Sequence, residues 1–451
     1  MHWGSSLLVC ALLSATGPAH AFCGFYVGKA DANLWNEASR VVMVRDGNRT
    51  TINMLNDYQG ELKEFALVVP VPVVLRKEDV KTPFRALFER IDAYSAPRLA
   101  EYFDPDPCLA PPARELAAPQ ALGRAESRIA KASADALGVR IEAQYTVGPY
   151  DIVILSAEQS DGLETWLLQN GYRIPRGAST ALAPYIRQNL KFFVARVNLE
   201  EHAKSGAQTL APLQFSFQTA KFMLPIRLGM LNARGPQDLV LWVLTRNGRV
   251  ETTNYRTVKL PANLDLPPYL KTDQEHSFGA FYKALFDEQA KREDYRVAFT
   301  EYFWDMSWCD PCAANPLSAQ ELRNLGVDWV SGDTREGARV MLTRLHVRYT
   351  PETFPEDLAF QETADRRNFQ TRYVLRHAAK TEPDACPAAA RYLKRVAERK
   401  EREAQALASL TGWDIATIRA RNGLGAADAG FWQRVWRWLR TPPNGEQPIS
   451  K

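Results

Sequence analysis

Two cysteines separated by two residues, Cys309 and Cys312 in EYFWDMSWCDPC (301–312), are the residues whose type and spacing most directly suggest chemistry. A Trp-Cys-x-x-Cys run is the signature of thiol–disulfide exchange, which works best with a thiolate held at a helix N-terminus. The flanking sequence does not supply that helix. The next helix-start signal is the capping box Ser318-x-x-Glu321, nine residues past Cys309, with Pro316 in between. Thioredoxin-like sites also use a strand entered through a cis-proline. Thr350-Pro351 leads instead into Glu-Thr-Phe-Pro-Glu-Asp, which is not a buried-strand pattern. The pair therefore reads as structural, with redox exchange through Cys309 and Cys312 as the alternative.

Other reactive groups are scattered. Beyond the first 21 residues the histidines are His202, His276, His346 and His377, with no i,i+4 pair and no zinc-finger spacing to the cysteines. His346 lies in the alternating run LTRLHVRYT and reads as a hydrogen-bonded structural histidine. There is no G-x-S-x-G elbow and no phosphate-binding G-x-x-x-x-G-K-[ST] loop. Asp104, Asp106, Asp305 and Asp310 each sit beside a Pro or Cys turn, where short acids cap turns more often than they bind calcium. No catalytic set, metal site or cofactor is expected.

The chain has 451 residues, 46% of them apolar, enough for two or three domains. It opens on SLLVCALLSATG followed by Ala19-His20-Ala21, a short apolar run and a small-x-small cleavage site. This predicts a signal peptide over 1–21, cleaved after Ala21, and an exported protein, periplasmic or extracellular. Cys10 leaves with the signal. Of the five cysteines that remain, Cys23–Cys108 is the favoured bridge, and Cys309–Cys312 is favoured over Cys312–Cys386. The net charge is only +4, and from Arg391 to Arg440 there are eleven Lys/Arg against five Asp/Glu. The basic character thus belongs to the C-terminal end, which argues against a nucleic-acid groove.

The elements that would position these residues repeat. Glu-Tyr-Phe occurs at 101–103 and 301–303, each followed by Asp-Pro-Cys, at 106–108 and 310–312. Helical stretches precede both, one starting near Thr82-Pro83 and one capped by Ser277. Upstream lie two expected hairpins, 41–54 around Asp46-Gly47 and 239–254 around Asn247-Gly248. AQYTVGPYDIVIL (143–155) resembles VRYTPETFPEDLAF (347–360), and KFFVARVNL (191–199) resembles NFQTRYVLR (368–376). The reading is an α+β fold of two related mixed-sheet lobes, 22–205 and 212–380, from an internal duplication. A basic helical tail, 384–451, follows, with one helix over 384–411 capped by Asp384 and stopped by Gly412. In GFWQRVWRWLR, Phe431, Trp432, Val435, Trp436 and Leu439 would form one apolar helix face with arginines beside it. That face suits either the protein's own core or peripheral contact with an anionic membrane.

AFCGFYVGKADANLWNEASRVVMVRDGNRT, EFALVVPVPVVL and APRLAEYFDPDPC together resemble a bacterial secreted family, domain of unknown function 2330. The likeness continues through YDIVILSAEQSDGLETWLLQNGYRIP, LPIRL, SWCDPC and FPEDLAFQE to NFQTRYVLRH, to about residue 380. The resemblance implies export and implies no activity. The expected role is non-catalytic: a cell-envelope binding or scaffolding module, its partner an envelope protein or a small ligand held in the cleft between lobes. A periplasmic thiol–disulfide protein is the alternative.

Overall fold

The computed structural model describes residues 25–29, 36–55, 65–109, 139–157, 160–175, 177–205, 210–273, 275–308, 310, 315–331 and 339–424. It is an α+β structure built on two large sheets. The first is six-stranded and antiparallel, in the order Arg140–Val147, Tyr150–Ser156, Lys191–Val197, Phe65–Val71, Phe25–Lys29, Tyr172–Arg173. The second is nine-stranded and mixed. Its order is Arg256–Lys259, Val297–Asp305, Met341–Tyr349, Ala233–Thr245, Asn36–Asp46, Arg49–Leu55, Leu213–Gln218, Val80–Lys81, with Phe369–Gln370 added alongside Val297–Asp305.

Strict alternation explains how these strands stack. Val41 and Met43 face one side of the nine-stranded sheet, against Val69, Ile154 and Phe193 of the other sheet. Val42 and Val44 face the opposite side, against Leu87, Phe88 and Ile91 of helix Ala86–Ser95. Successive strand residues point to opposite faces, so a continuous apolar run serves two cores at once. Helices Ser160–Gln169 and Ala178–Arg187 cover the outer face of the six-stranded sheet through Leu163, Leu167, Leu182 and Tyr185. The result is helix, sheet, sheet, helix in four layers.

The expected division near residues 205–212 runs through a shared sheet. Strand Asn36–Asp46 pairs in parallel with Ala233–Thr245 at its centre. The first hairpin forms as read, with Asp46 opposite Arg49 and Gly47 at φ +55°. The second does not: Val250–Thr252 pairs with Leu358–Glu362, while Ala233–Thr245 pairs with Met341–Tyr349. Gly248 is needed for a different reason. A Cβ there would sit 2.0 Å from the Thr363 carbonyl oxygen, so only glycine lets the two backbones approach. The two Glu-Tyr-Phe copies also lie in different sheets, Arg98–Phe103 in a small parallel sheet with Arg372–His377 and Leu264–Leu266, Val297–Asp305 in the large one.

Two helix starts differ from expectation. Helix Ala86–Ser95 begins after Arg85, past Thr82-Pro83, because Phe84 and Arg85 carbonyls already accept from Leu87 and Phe88 in its first turn. The long C-terminal helix is Ala389–Thr411 rather than 384–411. Pro387 and a disulfide at Cys386 hold the preceding chain, and Gly412 at φ +69° ends the helix. Ser277 and the Ser318/Glu321 capping box act as read. Residues 389–421 are not a detached tail, since Ala404, Leu407, Leu410 and Ile418 are buried with Leu285 and Phe286 of helix Phe278–Arg292.

Candidate functional site

The cysteine expectations change first. Cys108 bonds Cys386 across 278 residues. This corrects the expected Cys23–Cys108 bridge and removes Cys386 as a partner for Cys312; Cys23, Cys309 and Cys312 lie outside the described residues. The register gives the reason. Phe369 lies opposite Phe303, and from there the chain runs back away from the Asp305 end of that strand, and strand Arg372–His377 brings His377 beside Phe103. Cys386 therefore arrives at the first Asp-Pro-Cys turn. Polar contacts reinforce that junction: Tyr392 Oη and an Arg399 guanidinium nitrogen donate to Asp104 Oδ2 at 2.7 and 2.8 Å. Phe431, Trp432, Val435, Trp436 and Leu439, expected to form one apolar helix face, also lie outside the described residues.

The turn acids cap and brace as read. Asp106 accepts from the Cys108 amide at 2.9 Å, and Asp305 from the Ser307 amide at 3.0 Å. Asp310 accepts from Tyr302 and Gln370. Among the described residues no cluster of three or more His, Cys, Asp or Glu is arranged to hold a metal ion, and no helix is long and apolar enough to cross a membrane.

A buried ionic network is the feature that sequence reasoning missed. A register shift between Thr300 and Tyr302 places Glu301 at a bulge, and bulges re-aim side chains. Glu301 accepts from Arg344 Nε at 2.5 Å, shares a proton-bearing contact with His346 Nδ1 at 2.7 Å, and accepts from the Tyr282 hydroxyl. Arg344 continues to Asp92 at 2.6 Å, and Arg348 grips Asp238 at 2.7 and 2.8 Å. Phe286 stacks on the His346 ring with centroids 3.7 Å apart. Burial pushes the Glu301 carboxyl up, but the Arg344 and His346 charges outweigh it and hold it down to about 2. Glu301 is 1% exposed, so this carboxylate is a structural anchor rather than a reagent.

One accessible feature among the described residues is an apolar cleft at the seam of the two large sheets. It is shallow: the enclosed space is only about 20 Å³, and the rest of the hollow is open to solvent. Ile52, Pro70, Pro72, Tyr185 and Leu190 line it from the first expected lobe; Phe217, Thr219, Lys221, Met223 and Pro225 line it from the second. The prolines of Val-Pro-Val-Pro end strand Phe65–Val71 and form one wall. Tyr185 is tethered from behind. Its hydroxyl donates to Asp357 at 2.7 Å, and Asp357 also accepts from the Ile226 amide at 2.9 Å and an Arg227 guanidinium nitrogen at 2.8 Å. Burial, with Asp357 beside it, keeps the Tyr185 phenol well above its ordinary range and thus neutral.

Three of the sequence segments that carry the resemblance, EFALVVPVPVVL, LPIRL and FPEDLAFQE, therefore meet at or behind this cleft. The family model described as uncharacterized protein conserved in bacteria (DUF2330) matches residues 17–361. The chain belongs to this family. No curated protein and no solved structure matches it. The family match ends inside strand Leu358–Glu362, so it includes Asp357 and every residue lining the cleft. The small parallel sheet, the disulfide and helix Ala389–Thr411 close the DUF2330 core with chain from beyond that match.

Proposed function

We propose that this DUF2330 protein is an exported, non-catalytic binding or scaffolding module of the cell envelope, and that it binds through the apolar cleft between the two sheets. The observation that carries this reading is the lining itself: apolar and aromatic walls from two sheets with few polar groups, the usual composition of a ligand site. The Glu301 carboxylate, whose protonation is strongly shifted, lies in a braced network rather than in the cleft. A disulfide at Cys108 fits an oxidising compartment. The partner is a small ligand or an envelope protein, and the C-terminal segment 430–440 adds peripheral membrane contact.

A neutral solvatochromic dye, Nile red, tests the cleft without involving charge. Saturable binding is expected for the native chain, with loss of most of the signal in Met223→Trp, whose larger ring fills the space. Equal dye binding by both proteins, with matching circular dichroism, would rule the cleft out as the binding site.

A further inference from the structure

Resting on the cleft reading above, we propose that the ligand is a carboxylate on a single apolar chain, its head held by Lys221 at the cleft mouth. Of the lining residues only Thr219 and Lys221 are polar apart from the Tyr185 hydroxyl, which is turned to Asp357. Lys221 is exposed, and its Nζ donates to Gln188 Oε1 at 2.7 Å. That partner is a neutral amide, so it orients the ammonium without cancelling its charge, and an ammonium has three donors to give. No carboxylate lines the cleft, and Asp357, bonded to Tyr185 from behind, is already occupied by Arg227.

The strap that carries Lys221 is fixed rather than loose. The Lys221 amide donates to Thr219 Oγ1 at 3.1 Å, and the Thr219 amide to the Asn48 carbonyl at 2.8 Å. Arg45 donates to the carbonyls of Thr219 and Ala220 at 3.0 and 3.3 Å, which sets a second positive charge under the same strap. Two cationic side chains thus flank the strap, with Glu362 acting on Arg45 but, among the described residues, no charged partner on Lys221, while the walls are apolar. One ammonium facing the opening suits a monoanionic head; a doubly charged phosphate is better matched by a guanidinium fork, and both guanidinia here are engaged elsewhere.

Displacement of Nile red by three ten-carbon probes separates the terms. Decanoate, decanol and decyltrimethylammonium share a tail and differ only in the head. The proposal expects decanoate to displace dye about ten-fold more tightly than decanol, the order of one charge-assisted hydrogen bond, and the ammonium probe to be weakest. In Lys221→Met, decanoate should fall to the level of decanol while Nile red itself still binds. Equal potency of decanoate and decanol on the native chain, or an unchanged decanoate affinity in Lys221→Met, would overturn the carboxylate assignment and leave the cleft standing. Absence of Nile red binding to the native chain would overturn both.

Discussion

Glu301 shows how a residue can be central to a structure and silent in sequence. It sits in Glu-Tyr-Phe-Trp-Asp, where the eye goes to the following cysteines, yet it joins two strand residues and a helix tyrosine. Its role depends on a bulge that no pattern of residue types announces, whereas His346 is legible as a structural histidine because it lies in an alternating strand. Glu301→Gln leaves Arg344 buried beside a weaker partner, and should cost about 3–5 kcal/mol in urea unfolding at pH 7. The carboxyl is held below its ordinary 4.5, so its contribution is full above pH 4.5 and fades as pH falls toward 2. The gap between native and variant should close over that window. Glu403 has the opposite sign. Burial in helix Ala389–Thr411, with Asp265 adding to it against the pull of Arg399, pushes its carboxyl up to about 7. The folded state then holds a proton that the unfolded chain releases near 4.5, so this residue withdraws stability as pH rises from about 4.5 to 7. Glu403→Gln should be close to neutral at pH 4 and stabilising by about 3 kcal/mol at pH 8, read as the difference in urea unfolding from the native chain.

At the level of elements, local signals read well where they act locally and fail where a distant strand decides. Ser277, Ser318 with Glu321, and Gly412 mark helix ends because each satisfies or completes its own turn. Asn247-Gly248 has the composition of a hairpin turn, but the long-range competition is won by Leu358–Glu362, whose exit at Thr363 needs the space a glycine leaves. Cys108 was legible as a bridge residue; its partner was not, because spacing along the chain says nothing of the parallel strand that carries Cys386 back to it. The bridge closes so long a loop that its unfolded-state entropy term alone is about 5.5 kcal/mol in the chain-entropy model. Cys108→Ser should lower stability by about 2–5 kcal/mol in unfolding experiments without reductant, and dithiothreitol should add little further loss in that variant. Undiminished stability of Cys108→Ser would mean that the Asp104, Tyr392 and Arg399 contacts hold the junction unaided.

For the whole molecule, the class was readable and the assembly was not. Apolar alternation and helix caps predict an α+β chain, and the resemblance places it in the DUF2330 family. The repeated Glu-Tyr-Phe and Asp-Pro-Cys segments suggest two related lobes, and strands Asn36–Asp46 and Ala233–Thr245, one from each, pair side by side in one sheet. The cleft follows from that pairing, since its walls come from strands and loops far apart in sequence. The most direct test of the account is methyl NMR during a decanoate titration. The methyls of Ile52, Leu190 and Met223 should shift together and saturate, while those of Leu285 and Leu407 in the distant helical layer stay fixed. Saturating shifts confined to the helical layer, or no shift at Ile52 and Met223, would contradict the cleft as the binding site.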